Sequence, residues 1–307
     1  MKLIGENIHI ISKRTKEAIE AKDSNYIKGY IQKMLDNNID WIDLNIGPAR
    51  KTQGMMLWLT NTVREMTDLP ISFDTTNPEE MKAGLKSVKN ASDCIINSIS
   101  ADKTRQDALL PLAREFGSNL IALTLSDATG IPKEADARLE IAFEIIEKTA
   151  ESGIENEKIF LDPLVLPVAV DQSQALEALN AIRMFKESFD PQVQTTIGLS
   201  NVSNGCPKEN RPLINLVFGV LAMGCGLDSA IVDGFDSKLT RINRMIEDKK
   251  AVTSVDELYL NLYNIMSEFG ELEDISYNKD NAEEVEIYKT AEILLNKNIY
   301  SHNYLSI

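Results

Sequence analysis

The chain has 307 residues, of which 43% are hydrophobic and 26% are charged, as in an ordinary globular protein. This apolar content excludes a mainly disordered chain, and no apolar run approaches the roughly 20 residues that a membrane-spanning helix needs. The 32 Lys and Arg against 47 Asp and Glu give a net charge of −15. That charge argues against binding to nucleic acid or to an anionic membrane surface.

Short β-branched runs alternate with longer segments of helical period along the first 240 residues. The predicted strands are 2–7, 41–46, 70–76, 93–100, 119–126, 159–165, 195–202 and 229–235. The clearest predicted helices are 24–38, 77–88, 105–116, 135–152, 173–189 and 211–225. Asn77 and Ser173 are the expected N-caps. Eight such units predict an α/β protein with a (β/α)8 TIM barrel, and the missing G-x-G-x-x-G disfavours a doubly wound open sheet.

The chain after the eighth predicted strand departs from this rhythm. Between residues 251 and 286 there are ten Asp and Glu and one Lys, so this segment carries −9 of the net charge of −15. Apolar residues such as Leu258, Leu262 and Met266 indicate that part of it is helical and packed. We therefore predict one barrel domain over residues 1–307, with an acidic, largely helical insertion at about 245–289. The insertion is either a solvated cover or a surface that recognises a partner.

Cys and His are scarce in this sequence. The three cysteines, Cys94, Cys206 and Cys225, lie far apart and form no C-x-x-C, so neither a zinc ribbon nor a dithiol redox site is indicated. With only His9 and His302, a His-based triad or a His-rich metal site is not expected. The N-terminus has no basic flank followed by an apolar segment, so we expect no secretory signal and a cytoplasmic protein.

Polar side chains stand at the end of every predicted strand. In a barrel these ends lie on one face, and this face holds the active site. The residues are Glu6, Asn7, Asp43, Asn45, Asp74, Asn97, Ser98, Ser126, Asp127, Asp162, Ser200, Asn201 and Asp233. The strand ends carry no Lys, which excludes a Schiff-base aldolase. They carry no well-placed His, which disfavours a metal hydrolase, although a carboxylate-only magnesium site stays open.

A ring of carboxylates and carboxamides suits a flat heterocycle. One carboxylate can accept from both N3–H and the 2-amino group of a 2-amino-4-oxo pteridine, as it does from Arg. Asn97 can donate and accept at neighbouring ring atoms. A single Asp at a strand end is usually a structural carboxylate, but six or more polar groups around one mouth indicate a binding site.

Nine motifs that interleave with the predicted strands resemble a known family. They are GEN near the start, DLNIGPA (43–49), FDTTN (73–77), INS (96–98), TGIPKEADARL (129–139), LDPLVLP (161–167), TIGLSNVS (196–203), NRPLIN (210–215) and TAEILLN (290–296). Together they are similar to the methyltetrahydrofolate:corrinoid protein methyltransferases. The resemblance runs from residue 1 to about 240 and resumes at 290. NGCPKENRP (204–212) is slightly longer than usual, and 245–289 is extra.

The resemblance implies roles for particular residues. Asp74, Asn97 and Asp162 match pterin-binding residues of the family. Asn201 matches the catalytic Asn that hydrogen-bonds N5 of the folate. Asn204 and Arg211 lie near positions that face the corrinoid partner in the family. The pattern of strand ends, rather than the resemblance, adds further candidates for the pterin site: Glu6, Asp43, Ser126, Ser200 and Asp233.

The implied reaction moves a methyl group between N5 of tetrahydrofolate and the cobalt of a corrinoid (cobalamin) carried by a partner protein. The chain itself would bind no metal and would act as a homodimer. The partner is either the corrinoid iron-sulfur protein of acetyl-CoA synthesis or a small corrinoid protein of O- or N-demethylation, and the extra acidic segment favours the second.

Two other functions remain open at this stage. A dihydropteroate-synthase-like enzyme would also grip a pterin with Asp and Asn, but it needs a strand-end Lys and a basic pyrophosphate site that this sequence lacks. A non-catalytic folate-binding barrel would keep the pocket without turnover.

Overall fold

A computed structural model describes residues 1–48, 53–128 and 130–306, and in these residues eight parallel strands form one sheet. The strands are β1 (Lys2–His9), β2 (Trp41–Gly47), β3 (Ile71–Thr75), β4 (Ile95–Ile99), β5 (Asn119–Leu123), β6 (Ile159–Asp162), β7 (Gln194–Thr195) and β8 (Ser229–Val232). Their order is β7-β6-β5-β4-β3-β2-β1-β8, so each strand lies beside its neighbours in sequence and β8 returns to β1. The predicted TIM barrel is confirmed.

The seam between β7 and β8 almost closes the barrel. β7 has two residues, and the chain after it meets β8 through a parallel bridge between Gly198 and Ile231. The carboxylate of Asp228 reinforces the seam, because it accepts from the backbone N–H of Thr195 at 2.8 Å and from Nζ of Lys186 at 3.0 Å. Side-chain hydrogen bonds therefore strengthen the seam where the backbone hydrogen-bond ladder of β7 is short.

Helices surround the strands on the outside of the barrel. They are α1 (Lys13–Glu20), α2 (Ser24–Asp36), α3 (Met55–Arg64), α4 (Pro78–Lys86), α5 (Lys103–Phe116), α6 (Ala135–Glu151), α7 (Ser173–Ser188), α8 (Arg211–Gly224) and α9 (Ser237–Asp248). Asn77 caps α4 as predicted, and its carboxamide accepts from the N–H of Glu79 at 3.0 Å.

Two local predictions were wrong. The segment predicted as a strand over 195–202 leaves the sheet at Thr195 and forms a 3-10 helix over Leu199–Ser203. Ser173 is the first residue of α7 rather than its N-cap, and Gln172 occupies the cap position. Helices α1 and α3 were not predicted.

The acidic segment after α9 is largely helical, as predicted. It contains α10 (Ser254–Ser267) and most of α11 (Ala282–Leu294). α10 packs on α8 and α9, and α11 packs on α8 and α7, so both lie on the outer helical layer. The side chains of Leu258, Leu262 and Ile287 are buried in the main core. A capping box of Thr253 and Asp256 starts α10.

The chain beyond α11 returns to the rim of the barrel. The backbone N–H of Tyr300 donates to Oε1 of Gln172 at 2.7 Å, beside the first turn of α7. Nδ2 of Asn210 donates to the carbonyl of His302 at 3.1 Å, at the start of α8. In the described ranges, no helix combines the length and the apolarity needed to cross a bilayer.

The inside of the barrel is divided into an apolar plug and a polar layer. A small cluster, separate from the main core, consists of Ile4, Ile95, Ile121 and Phe160. Two positions further along their strands, with side chains on the same face, stand Glu6, Asn97 and Asp162. The strand register also places Asn45 beside Asp74 and Asp74 beside Asn97. The polar layer therefore lies at the carboxyl ends of the strands, on top of the plug.

Asp228→Ala tests the seam. We expect a loss of about 1–3 kcal/mol in the free energy of unfolding, because the N–H of Thr195 and the ammonium of Lys186 lose their acceptor. Asp280→Ala, at an exposed position after α10, is the control and should change stability by less than about 0.5 kcal/mol. Equal effects of the two substitutions in urea unfolding would show that the carboxylate of Asp228 does not hold the seam.

Candidate active site

The floor of the mouth is a hydrogen-bonded network across β2, β3 and β4. The buried carboxylate of Asp43 accepts from the hydroxyl of Ser72 at 2.6 Å and from Nδ2 of Asn97 at 3.4 Å. One step higher, Nδ2 of Asn45 donates to the carboxylate of Asp74. The N–H of Gly47 donates to Oδ1 of Asn45 at 3.1 Å, which orients that carboxamide. Each of the two carboxylates thus accepts a hydrogen bond from a carboxamide on another strand.

Burial makes these two carboxyl groups hard to ionise. Loss of solvent raises the pKa of Asp43 well above its ordinary value, and the negative charges of Asp74 and Glu6 raise it further. Burial also raises the pKa of Asp74 to about 6, although the Asn45 bond and the positive charge of Arg105 oppose the rise. Asp74 therefore titrates near pH 6, and Asp43 holds its proton more tightly than an exposed Asp does.

Asp162 lies at the end of β6 and is only 4% exposed. Its Oδ1 accepts from the N–H of Leu164 at 2.7 Å. Leu164 has φ +62°, a left-handed conformation that costs a branched residue about 1–3 kcal/mol. Burial raises the pKa of Asp162 to about 7, while the N–H groups of Leu164 and Gly198 and the charge of Arg138 act in the opposite direction. Asp162 therefore titrates near neutrality.

The opposite wall of the mouth is formed by β1, β8 and the 3-10 helix after β7. Burial raises the pKa of Glu6, the nearby charge of Asp233 adds to the rise, and a hydrogen bond with Ser200 opposes it. The carboxylate of Asp233 accepts from Nδ2 of Asn7 at 2.7 Å and from the N–H of Phe235 at 2.9 Å. The structure thus brings Glu6, Ser200 and Asp233 together at one side of the opening.

Asn201 stands on the 3-10 helix with a half-buried side chain. Its Oδ1 accepts from Nδ2 of Asn204 at 3.3 Å, and its own Nδ2 donates to no described residue. A Cβ on Gly198 would lie 2.8 Å from that Nδ2, so glycine lets the carboxamide rest against the backbone. The Nδ2 donor is held in place and available to a ligand.

The remaining predicted residues lie farther from this network. Nε of Arg211, at the first position of α8, donates to the carbonyl of Cys206 at 2.9 Å and so ties down the β7–α8 loop. Asn204 is exposed on that loop. Ser126 pairs with Gly130 in an antiparallel bridge after β5. Ala49 and Thr129, which belong to two of the motifs, lie outside the described residues.

Asn45 was predicted only as a polar strand end, and Ser72 and Arg138 were not predicted. Asn45 and Ser72 each lie on the strand next to the carboxylate that they bind, and period-2 spacing from Asp43 and Asp74 is the signal that points to them. Arg138 belongs to the motif at 129–139, but nothing in its spacing marks it as buried. Across the described part of the chain, no group of three or more His, Cys, Asp or Glu has an arrangement that could hold a metal ion.

Comparison with known proteins identifies the family. The model of the pterin-binding enzymes matches residues 13–233, which span the barrel from α1 to the end of β8. The chain belongs to the pterin-binding enzyme family. The resemblance to the methyltetrahydrofolate:corrinoid methyltransferases is confirmed at the family level by the relatives described next.

Relatives of known description agree with the pterin-binding assignment. The chain is 30% identical over 236 residues to the methylcorrinoid:tetrahydrofolate methyltransferase of Eubacterium limosum, covering 76% of this chain and 85% of that protein. It is 31% identical over 236 residues to the methionine synthase of Mycobacterium tuberculosis, covering 74% of this chain but only 19% of that much longer protein.

Solved structures with this fold include other pterin-binding enzymes. A dihydropteroate synthase of Coxiella burnetii in complex with pteroic acid superposes with a TM-score of 0.61 at 18% identity, over 87% of this chain and 93% of that one. The dihydropteroate synthase of Yersinia pestis gives a TM-score of 0.58 at 14% identity, over 80% and 93%. At these identities the likeness concerns the fold alone.

Asp162→Asn tests the cost of the buried carboxylate. The pKa of Asp162 is about 7 in the folded state and 3.8 ordinarily, so the native state holds the proton more tightly than the unfolded state does. The contribution of this group to the free energy of unfolding therefore falls as the pH rises between those two values. At pH 5 Asp162 is largely protonated and resembles Asn. Between pH 5 and pH 8 the unmodified protein should therefore lose about 2 kcal/mol relative to the variant. A pH-independent difference in unfolding free energy would contradict the assignment.

Proposed function

We propose that this protein is a methyltransferase that moves a methyl group between N5 of tetrahydrofolate and the cobalt of a corrinoid carried by a partner protein. The observation that carries the proposal is the polar layer at the barrel mouth, where Asp74, Asn97 and Asp162 stand above an apolar floor. Membership of the pterin-binding family and the similarity to a methylcorrinoid:tetrahydrofolate methyltransferase support it.

The pterin would enter the mouth with its pyrimidine edge toward the buried end of the layer. Ionised Asp162 can accept from N3–H and the 2-amino group together, in the paired geometry of an Arg–carboxylate fork. Asn97 can donate and accept beside it, while one N–H of its Nδ2 already donates to Asp43. Asp74 and Asn45 would close the side of the ring. Fixed donors and acceptors of this kind select a pterin over an apolar ring.

The chemical difficulty lies at N5, which leaves as an amine when the methyl group departs. The bond from N5 breaks more readily if N5 receives a proton or a hydrogen bond that strengthens as charge develops. Nδ2 of Asn201 is the available donor, because its Oδ1 is occupied by Asn204. A carboxamide cannot release a proton, so the proton would come from solvent or through water held by a carboxyl group such as Asp43 or Asp74.

The attacking group in this direction is Co(I) of the corrinoid, which attacks the methyl carbon in line, forms methyl-Co(III) and displaces N5 of tetrahydrofolate. The chain needs no nucleophile of its own, and its contribution is to place N5 at an open mouth, where proximity lowers the barrier. In the reverse direction N5 of tetrahydrofolate attacks methyl-Co(III). The same residues serve both directions.

We further propose that the partner is a small corrinoid protein of a demethylation system (a methyltransferase II role) rather than the corrinoid iron-sulfur protein. The Eubacterium relative is named with methylcorrinoid as donor and tetrahydrofolate as acceptor, which supports this direction. The extra acidic segment, on α10 and the turn before α11, adds a surface that a different partner could recognise. A cytoplasmic homodimer of single-domain barrels is proposed on the family resemblance alone.

A synthase that condenses a pterin pyrophosphate is less well supported. The described strand ends carry no Lys and no basic cluster for a pyrophosphate, and the likeness to dihydropteroate synthases concerns the fold alone. A binding barrel without turnover is separated from the proposed enzyme by the experiment below.

Asn201→Ala and Asp74→Ala should affect different steps. Loss of the N5 donor should lower turnover at saturating folate by about 100-fold or more, while calorimetry detects nearly unchanged binding of methyltetrahydrofolate. Asp74→Ala should weaken that binding by about 1–3 kcal/mol, because ligand and Asn45 lose an acceptor. Asn90→Ala, exposed at the opposite end of β4, is the control. Full turnover by Asn201→Ala would remove the catalytic role of Asn201.

Competition between corrinoid proteins tests the partner. Immobilised protein should retain a small demethylase corrinoid protein in preference to the corrinoid iron-sulfur protein when both are present in equal amounts. Equal retention, or a preference for the iron-sulfur protein, would contradict the proposed partner while leaving the reaction class intact.

A further inference from the structure

Arg138 is the largest fully buried side chain of the described residues. It lies on the first turn of α6 and has 0% exposure. A guanidinium cannot lose its charge under ordinary conditions, so its burial is costly unless neighbouring groups compensate. A buried arginine behind a binding site therefore calls for a specific partner.

Two of its donors tie loops of the barrel mouth together. Nε donates to the carbonyl of Pro132 at 3.1 Å, in the loop between β5 and α6. Nη2 donates to Oε1 of Gln174 at 2.6 Å, on the first turn of α7. Nη1 is buried and has no hydrogen-bond partner among the described residues. One guanidinium thus spans the loops that flank β6.

Three carboxylates act electrostatically on this guanidinium. They are Glu177 on α7, Asp162 at the end of β6 and Glu134 before α6. Glu134 is exposed to solvent, and Glu177 already accepts from the N–H of Ala135 at 2.8 Å. Asp162 alone is buried inside the barrel, where a nearby positive charge has its largest effect.

We propose that Arg138 is a positioning residue for folate binding, whose buried guanidinium holds the β5–α6 loop against the first turn of α7, on either side of β6. Its positive charge also favours the ionised form of Asp162 at the end of β6. This inference rests on the proposed function, because it concerns the carboxylate assigned to the pterin. N3–H and the 2-amino group are both donors, and a protonated Asp162 would oppose one of them with its own O–H. An ionised Asp162 accepts from both.

The surroundings of Asp162 oppose its ionisation, because burial removes the carboxyl group from water. The N–H groups of Leu164 and Gly198 favour the ionised form, and Arg138 is the charged side chain that acts with them. Its removal leaves only backbone dipoles.

The experiment measures binding of methyltetrahydrofolate by anaerobic calorimetry between pH 5.5 and pH 8.5. In the unmodified protein, affinity should rise with pH through a midpoint near the Asp162 pKa of about 7. Asp162→Asn identifies this midpoint, because it should abolish it and leave the titration of Asp74. Arg138→Gln should move the midpoint upward by about one pH unit.

Two variants separate the charge of Arg138 from its shape. Arg138→Lys keeps the charge but cannot reach Pro132 and Gln174 together, so the midpoint should stay while affinity falls at every pH. Lys148→Gln, exposed on the same helix and paired with Glu151, should behave like the unmodified protein. If Arg138→Gln fails to fold, Arg138→Lys alone decides, and unchanged affinity for it would overturn the positioning role.

The outcomes distinguish this inference from the proposed function. An unshifted midpoint in Arg138→Gln, with affinity reduced equally at every pH, would mean a merely structural role and would overturn the inference while folate binding stands. Failure of the unmodified protein to bind methyltetrahydrofolate at any pH would overturn the proposed function and the inference with it.

Discussion

The structure of the mouth depends on carboxyl groups that the barrel removes from water. Asp43 and Asp162 are almost fully buried, and loss of solvent raises the pKa of both. A folded protein tolerates this cost when each group is bound, and here hydroxyl, carboxamide and backbone N–H groups bind them. The same burial excludes water from the hydrogen bonds that a pterin would make, and so strengthens them. Burial of these carboxyl groups therefore lowers the stability of the fold at the position where a pterin would need fixed hydrogen-bond acceptors.

The rest of the fold supports this polar layer from below and from outside. Ile4, Ile95 and Phe160 fill the barrel beneath it, so a flat ligand would meet a closed floor. On the outside, Arg138 spans the loops beside β6, and the C-terminal segment binds Gln172 and Asn210 at the starts of α7 and α8. The chain after α9 thus contributes to the rim as well as to the outer layer.

Much of this architecture was predictable from sequence because buried parallel strands are continuous β-branched runs, and the polar residue that ends each run marks the mouth. One of the eight predicted strands is an exception. The run 195–202 has strand composition, yet the chain leaves the sheet after Thr195 and coils into the 3-10 helix that presents Asn201. Local propensity could not anticipate this turn, because contacts with β8 and α8 decide it.

The members of the site were easier to predict than their pairing. Alternation along β2 places Asp43 and Asn45 on the same face, but only the register between strands shows that Ser72 binds the first and Asp74 the second. The role of Arg138 could not be predicted from the sequence, because an arginine in an amphipathic helix is usually exposed to solvent. Its complete burial depends on tertiary packing. Membership of the pterin-binding family agrees with the pattern of strand ends without depending on these details.

The proposed transfer of a methyl group between folate and cobalt can be followed in an anaerobic absorbance assay. Purified protein is mixed with methyltetrahydrofolate and cob(I)alamin, and the Co(I) band is followed. We expect enzyme-dependent loss of that band with formation of methylcobalamin, and a much slower reaction with Asn201→Ala. Bound methyltetrahydrofolate with no methyl transfer, either to free cob(I)alamin or to a reduced corrinoid protein, would contradict it and leave a binding barrel.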